Sequence, residues 1–183
     1  LKDKGVGEYV EAAEILKGRG RIVRMLLVGS PDEQNPASIP VSLLEKWNAS
    51  RVVEWLGQRE DIVALLAQSH IVCLPSYREG FSKSLLEGLS AGRPLVATDV
   101  PGCREAVHDG VNGFLVPAKD ATALADALDK LILNDYLRQR MGQFSRSLAV
   151  SEFSSHRIHA EMLNVYFQLT DTAGNLQEKT SFS

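Results

Sequence analysis

The chain has 183 residues, 44% of them hydrophobic, and a formal net charge of -3 at pH 7. This composition is typical of a globular domain with one buried core, and it offers no basic block that would make nucleic acid an expected partner. No apolar run approaches the ~20 residues that a membrane-spanning helix needs, and no signal-peptide pattern opens the chain. The two isolated cysteines predict neither a disulfide framework nor a zinc knuckle, so we expect a cytoplasmic protein. Because Leu1 lies directly in charged, helix-forming sequence, we expect a fragment of a longer protein.

Five short apolar runs predict β-strands. They are Ile22–Val28, Arg51–Leu56, Ile71–Leu74, Leu95–Thr98 and Phe114–Val116. Most of them end at Gly or Pro, as strands commonly do. Their nearly continuous apolar character favours parallel strands that are buried on both faces.

Amphipathic segments of helical length alternate with these runs. They are Tyr9–Lys17, Asp61–Ala67, Ala121–Leu133, residues 136–146 and residues 156–168, with a further helix beginning near Phe81 or Ser82. Asp120 is predicted to cap the helix that follows it, and the proline-rich stretch 30–40 is predicted to be a surface loop. The alternation predicts an α/β fold with a Rossmann-like, doubly wound parallel sheet over residues 1–168. Residues 169–183 lack periodicity and are predicted to be a disordered tail.

Ligand-binding loops of parallel sheets gather at the carboxyl ends of the strands. Four loops are predicted there: Gly29–Pro31, Gly57–Arg59, Pro75–Ser82 and Thr98–Glu105. In the third, Gly80 permits close approach of a ligand, and the free N–H groups of the helix that follows favour a phosphate. Lys83, in the first turn, interacts unfavourably with the positive end of the helix dipole, and a polyanion bound nearby would account for its position. Lys4, before Gly5, is a second candidate cation for binding such a polyanion.

Glu79 and Glu87 have two interpretations. In one, Glu79 is an ordinary exposed loop residue, and Glu87 forms an i,i+4 pair with Lys83 on a solvated helix face, contributing ~0.2–0.5 kcal/mol. In the other, both carboxylates accept hydrogen bonds from hydroxyl groups on two parts of one ligand. The spacing alone leaves both interpretations open.

Other common sites have little support in the sequence. There is no G-x-G-x-x-G motif and no Walker A loop. His156 and His159 have a spacing that a metal site could use, but no carboxylate pattern accompanies them. Cys73 lies in a predicted core strand, where a cysteine behaves as a small hydrophobic residue. We therefore predict no metal and no cofactor.

The longer segments carry a family resemblance. The stretch "PSYREGFSKSLLEGLSAGRPLVATDVPGCREAVHDGVNGFLVPAKDATALADAL" resembles the carboxyl-terminal domain of retaining glycosyltransferases of the family 4 type, which have the GT-B fold. "DKGVGEYVEAAEIL" and "VEWLGQREDIVALLAQSHIVCLPS" extend the match, so that it covers roughly residues 1–168. The E-x7-E motif of that family falls on Glu79 and Glu87.

The resemblance implies a role for each candidate residue. Glu79 would act as the catalytic residue that contacts hydroxyls of the transferred sugar, and Glu87 would hold the ribose. Lys4 would bind the diphosphate, and its usual companion arginine would lie upstream of Leu1. The loop that lines the sugar and the diphosphate would consist of Gly80, Phe81, Ser82 and Lys83. The loop with Gly57 and Arg59 would border the base, and Gly29 would form the floor of the cleft.

The resemblance also implies the reaction: transfer of a hexose, with retention, from a nucleotide-sugar to a glycan or lipid-linked acceptor. UDP is the first expectation for the carrier and GDP the second. A missing amino-terminal domain would supply the acceptor site, so the fragment alone would be inactive. The full protein would act in polysaccharide biosynthesis, with peripheral contact at the inner face of the membrane. Ser82, Gly88 and His70 depart from the family pattern and leave the donor sugar open. The alternatives are an epimerase-like enzyme of the same plan and a catalytically silent nucleotide-binding module.

Overall fold

The computed structural model describes residues 1–32 and 34–153. The chain divides into two compact units, residues 1–146 and 147–183, and the strands and the candidate site described below lie in the first. The predicted helix at residues 156–168 and the predicted tail at residues 169–183 lie outside the described residues.

Helices and strands alternate along the described chain. In order they are a 3-10 turn Lys2–Lys4, α1 Val6–Gly18, β1 Leu26–Val28, α2 Val41–Ala49, β2 Glu54–Gly57, α3 Ile62–Gln68, β3 Val72–Leu74, α4 Lys83–Ser90, β4 Leu95–Thr98, α5 Pro101–Arg104, β5 Gly113–Val116, α6 Ala121–Ile132 and α7 Asp135–Glu152. Every strand pairing between these elements is parallel. The predicted Rossmann-like α/β fold is therefore confirmed.

The strands form two hydrogen-bonded groups rather than one continuous sheet. β1 pairs with β2, and β4 lies between β3 and β5. All four residues of β4 are buried, whereas β1, β2 and β3 are partly accessible. The prediction that strands are buried on both faces is thus correct for β4, holds in part for β5, whose Gly113 and Val116 are buried, and is wrong for β1, β2 and β3. Among the described strands, β4 alone has a hydrogen-bonded neighbour on each side, which shields its backbone, and helices α4 and α6 also contact it.

The main apolar core includes residues of α1, α6 and the strands. Leu16 of α1 and Leu124 and Leu131 of α6 are almost completely buried, together with Val96 of β4. Small residues such as Ala12 and Ala125 let the helices approach closely. Asp120 accepts a 2.8 Å hydrogen bond from the N–H of Ala123 and so begins α6, as its sequence position predicts.

Two predicted strand starts need correction, and one helix was not predicted. The strand predicted from Ile22 begins only at Leu26, because the Ile22 side chain is fully exposed on the approach to the sheet. The strand predicted from Arg51 begins at Glu54, because Arg51 has a left-handed φ of 55° in the turn that follows α2. The α2 helix itself was not predicted. It begins directly after the proline-rich loop, and its signal was the Leu44–Trp47 spacing, which brings one buried and one half-buried residue to the same face.

Candidate donor site at the carboxyl ends of the strands

The 3-10 turn at the start of the chain rests on the end of β3. Gly5 has a φ of 67°, and a Cβ at this position would lie 2.0 Å from the carbonyl oxygen of Pro75. Only glycine allows this approach, and it places Lys4 beside the loop that follows β3. The Nζ of Lys4 lies 2.7 Å from Oε1 of Glu79. Only 11% of the Glu79 side chain is exposed, so the interpretation of Glu79 as an ordinary exposed loop residue is wrong.

Hydrogen bonds to backbone carbonyls hold the same loop in place. The fully buried Ser76 donates its hydroxyl to the carbonyl oxygens of Asp3 and Arg78, at 3.2 and 3.0 Å. The carbonyl of Ser76 in turn accepts a hydrogen bond from the buried hydroxyl of Thr98, at the end of β4. The N–H of Tyr77 donates to Asp3 at 2.8 Å. The first residues of the chain and the end of β4 thus fix the loop that carries Glu79.

Gly102 gives the closest support under this loop. A Cβ at this position would lie 1.6 Å from the carbonyl oxygen of Gly80 and 2.4 Å from that of Glu79. Since no real Cβ tolerates such distances, any side chain here would displace the loop. The sequence placed Gly102 in one of the four loops at the strand ends, but its supporting role was missed. The signal was a glycine directly after Pro101, within the first turn of a short helix.

Tyr77 joins the loop to α1. Its hydroxyl donates to the Glu8 carboxylate, and the Nζ of Lys119 lies 5.0 Å from the centre of its ring. Burial, followed by the hydrogen bond to Glu8, raises the pKa of Tyr77 to about 12. The phenol therefore stays protonated near neutral pH and remains a hydrogen-bond donor to Glu8.

The helix after the loop begins where the sequence predicts. Ser82 is the N-cap of α4, and its buried hydroxyl accepts a 3.5 Å hydrogen bond from the N–H of Leu85. Ser82 thus contributes its side chain to the helix end. Gly80 is exposed, and the position of a Cβ there is open space. Phe81 projects more than half of its side chain into solvent.

Lys83 and Glu87 form the ion pair predicted from their spacing. The Lys83 Nζ lies 3.6 Å from Oε1 of Glu87, and their side chains are 90% and 35% exposed. The same two residues line a groove of about 270 Å³ between α3 and α4, together with apolar residues such as Leu66 and Leu86. Formation of the pair does not decide between the two interpretations of Glu87, because the carboxylate faces a groove as well as the lysine.

The remaining predicted residues lie at the ends of β1 and β2. The N–H of Gly29 donates to Gly57 at 2.8 Å, and the indole of Trp55 donates to the Gly29 carbonyl at 2.8 Å. Gly29 and Gly57 have φ values of 129° and 65°, which favour glycine. Arg59 is paired with Asp61 through two hydrogen bonds, at 2.8 and 2.7 Å. The hydrogen bond from Arg59 lowers the pKa of the Asp61 carboxyl.

The structure thus gathers the predicted residues into two groups. In the first group, Lys4 contacts Glu79, and the chain continues from Glu79 through Gly80–Lys83 to Glu87. The second group, at the ends of β1 and β2, consists of Gly29, Gly57 and Arg59. Within residues 1–32 and 34–153, no group of three His, Cys, Asp or Glu side chains is arranged to hold a metal ion. Burial raises the pKa of the Cys73 thiol to about 12, so this cysteine is not an activated nucleophile. The helices in the part of the chain that the structure describes include none with the length and apolar character of a membrane span.

Comparison with known proteins identifies the fold and the family. The fold is the Rossmann-like α/β fold found in GT-B glycosyltransferases: Anabaena Alr3699/HepE in complex with UDP superimposes with a TM-score of 0.82, at 24% identity, over 92% of this chain and 46% of that chain. Residues 1–148 match the family model described as Glycosyl transferases group 1, and the chain belongs to this family.

Two curated relatives illustrate the family. The N,N'-diacetylbacillosaminyl-diphospho-undecaprenol alpha-1,3-N-acetylgalactosaminyltransferase of Campylobacter jejuni is 34% identical over 166 residues, which is 91% of this chain and 42% of that protein. The capsular polysaccharide biosynthesis glycosyltransferase CapM of Staphylococcus aureus is 28% identical over 91% of this chain and 43% of its own length. The chain thus spans about two fifths of the length of these relatives.

Proposed function

We propose that this chain is the carboxyl-terminal, donor-binding half of a retaining glycosyltransferase of the family 4 type. It would bind a nucleotide-sugar with UDP as carrier, and the complete enzyme would transfer the hexose to a glycan or lipid-linked acceptor. The observation that carries the proposal is the arrangement of the E-x7-E motif. Glu79 is nearly buried against Lys4 at the end of β3, and Glu87 lies beside a groove on the helix that follows.

The charges support a division of roles across one ligand. Lys4 lies where it can exchange its contact with Glu79 for an oxygen of the diphosphate, and the first N–H groups of α4 add a second anion-binding element. Glu79 would then be released to accept hydrogen bonds from hydroxyls of the sugar. Glu87, farther along α4, would accept those of the ribose.

The chemistry follows from this placement. Glycosyl transfer passes through a transition state that resembles an oxocarbenium ion, while negative charge grows on the departing diphosphate. Lys4 and the N–H groups at Ser82 and Lys83 would stabilise that charge, because they are fixed in place before the reaction begins. This proposal therefore assigns no metal to the donor half. Closure of an amino-terminal domain over the site would exclude water and bring in the acceptor.

The relatives support the substrate classes by their names. The Campylobacter relative is named for a diphospho-undecaprenol substrate, CapM is named for capsular polysaccharide biosynthesis, and the Anabaena structure contains UDP. We extend these classes to the present chain, and we propose a cytoplasmic enzyme that works at the inner face of the membrane when its acceptor is lipid-linked.

The direct test is calorimetric titration of this chain with UDP and with GDP. Glu87→Gln should weaken UDP binding about 10-fold or more, since a hydrogen bond to a charged acceptor contributes about 1.5–3 kcal/mol. Glu45→Gln, at an exposed position of α2, is the matched control and should leave the affinity unchanged. Unchanged UDP binding by Glu87→Gln would support the solvated-face interpretation and contradict the proposed role.

The reaction is tested in the enzyme with its amino-terminal half joined. Glu79→Gln should abolish transfer of the hexose while UDP still binds, because Glu79 is proposed to contact the sugar and not the nucleotide. A product that forms without any acceptor would instead indicate the epimerase-like alternative. UDP binding without transfer to any acceptor would indicate a silent nucleotide-binding module.

A further inference from the structure

A second groove, of about 590 Å³, lies at the opposite ends of the strands. It is lined by three arginines, Arg93, Arg138 and Arg146, together with His70, Asp135 and Gln143, and we call it the arginine groove. His70 comes just before β3 and Arg93 just before β4, so the groove is at the amino ends of these strands. The contact between Lys4 and Glu79 in the candidate donor site follows the carboxyl end of β3, so it lies at the other end of this strand.

Each arginine has a structural contact. Their guanidinium groups donate to carbonyls at the carboxyl ends of three helices: Arg93 to Ala67 of α3 at 2.7 Å, Arg146 to Ser90 of α4 at 2.8 Å, and Arg138 to Ile132 of α6 at 2.8 Å. Cations at these positions stabilise the negative ends of helices. These contacts explain why the arginines lie here, but they use only part of the five N–H donors that each guanidinium offers.

The positive charge of the groove is not balanced by the described side chains. Asp135 is the only carboxylate among the described lining residues, and it is paired with Arg138. Within residues 1–32 and 34–153, neither Arg93 nor Arg146 has an acidic partner. Among the described residues, none accepts a hydrogen bond from the buried Nε of Arg93. The other guanidinium N–H groups that the helix contacts leave unused are the donors available to an anion in the groove.

The floor of the groove is rigid. A Cβ at Gly142 of α7 would lie 2.4 Å from the carbonyl oxygen of Gly92, so the helix lies directly on the turn that carries Arg93. Arg146 is one turn farther along the same helix and is anchored to Ser90. The guanidinium groups are therefore held in position before any ligand arrives, which lowers the entropy cost of binding.

We propose that the arginine groove binds a phosphate group, at a site separate from the candidate donor site. The planar guanidinium fork matches phosphate oxygens, and two guanidinium charges without an acidic partner among the described residues suit a dianion. The phosphate can belong to a free phosphorylated compound or to a lipid headgroup, and both present the same chemistry to Arg93 and Arg146. The proposal does not depend on the function proposed for the donor half.

The test is calorimetric titration of this chain with inorganic phosphate at constant ionic strength. We expect saturable phosphate binding at the arginine groove, distinct from any binding at the candidate donor site. Gln143→Glu should weaken it about 10-fold or more, because it adds a negative charge to the groove at an exposed position without removing a helix contact. Arg146→Gln should have a similar effect, and Arg146→Lys, which keeps the charge but loses the fork, an intermediate one.

Two controls locate the site. Arg24→Gln removes an exposed arginine elsewhere on the surface, and Lys4→Met removes the candidate phosphate contact at the donor site; neither should change phosphate binding in the groove.

Sedimentation with phosphatidylglycerol and phosphatidylcholine vesicles distinguishes a lipid headgroup from a free phosphorylated compound. Binding to the anionic vesicles that Gln143→Glu abolishes indicates a lipid headgroup, and phosphate binding without vesicle binding indicates a free compound. The proposal is overturned if neither phosphate nor anionic vesicles bind, or if Gln143→Glu leaves their binding unchanged.

Discussion

The two groups of candidate donor residues are built in different ways. The loop after β3 rests directly on other backbone: Gly5 contacts Pro75, and Gly102 lies under the carbonyls of Glu79 and Gly80. At the ends of β1 and β2, by contrast, the space where a Cβ would stand at Gly29 or Gly57 is open. Glycine is needed at Gly5 and Gly102 because of contact, to which Gly5 adds a left-handed φ. At the ends of β1 and β2 it is needed because of backbone conformation alone.

The difference indicates what each region contributes to a site. The loop after β3 is fixed by the rest of the domain, so the positions of Glu79 and the start of α4 are set before a ligand binds. The ends of β1 and β2 have room above them, and their charged residues Arg59 and Asp61 are paired with each other at the surface. Substitutions in the two regions should therefore fail for different physical reasons.

The largest expected effect is that of Gly102→Ala. The added Cβ would lie 1.6 Å from the Gly80 carbonyl oxygen, so the loop must move, and we expect a loss of about 3 kcal/mol in the free energy of unfolding, measured with urea. Gly7→Ala is the matched control, because α1 leaves open space there, and it should raise stability by about 0.5–1 kcal/mol. A Gly102→Ala protein as stable as the parent would contradict the close contact.

Gly57→Ala should have a smaller effect of conformational origin. A φ of 65° disfavours alanine, and we expect a loss of about 1–2 kcal/mol in unfolding free energy. Asparagine tolerates this left-handed conformation, so Gly57→Asn should lose less than Gly57→Ala. At Gly102 asparagine should offer no relief, since the obstacle there is contact. Equal losses for Ala and Asn at position 57 would argue against a conformational cause.

The smallest effect concerns the pair at the end of β2. Arg59 holds the pKa of the Asp61 carboxyl below its ordinary value, so the pair stabilises the fold above the unfolded pKa of about 3.9, and this contribution is lost as pH falls through the lower folded value. In Arg59→Gln, the Asp61 pKa should return toward its ordinary value, as followed by NMR. Arg104→Gln, which removes the partner of Asp99, should leave Asp61 unchanged.

Local signals were sufficient for most of the fold. β3 and β4 are apolar runs with clear breaks, and Asp120 caps α6 through a contact only three residues away. The start of β1 was misplaced because Ile22 looks like a core residue, and no local pattern shows that it faces solvent. The α2 helix was missed because the prolines before it predict irregular structure, and the spacing of Leu44 and Trp47 is a weak signal beside them.

The candidate site was less accessible from sequence. The motif located Glu79 and Glu87, but the contact between Lys4 and Glu79 joins residues 75 positions apart. The role of Gly102 depends on the distance between two backbone segments, which leaves no trace in hydrophobic pattern or charge. Spacing could propose which residues bind a ligand, whereas it could not show which residues hold them in place.

The joint between Gly5 and Pro75 has a consequence for protein engineering. The opening turn and the loop after β3 are in close contact. A chimera that takes only one of these two segments from a relative would therefore lose the fit between them. Residues 1–5 and 75–82 are therefore best exchanged together when the candidate site is redesigned. The recipient protein must also have a glycine at position 102, because any side chain there would displace the exchanged loop.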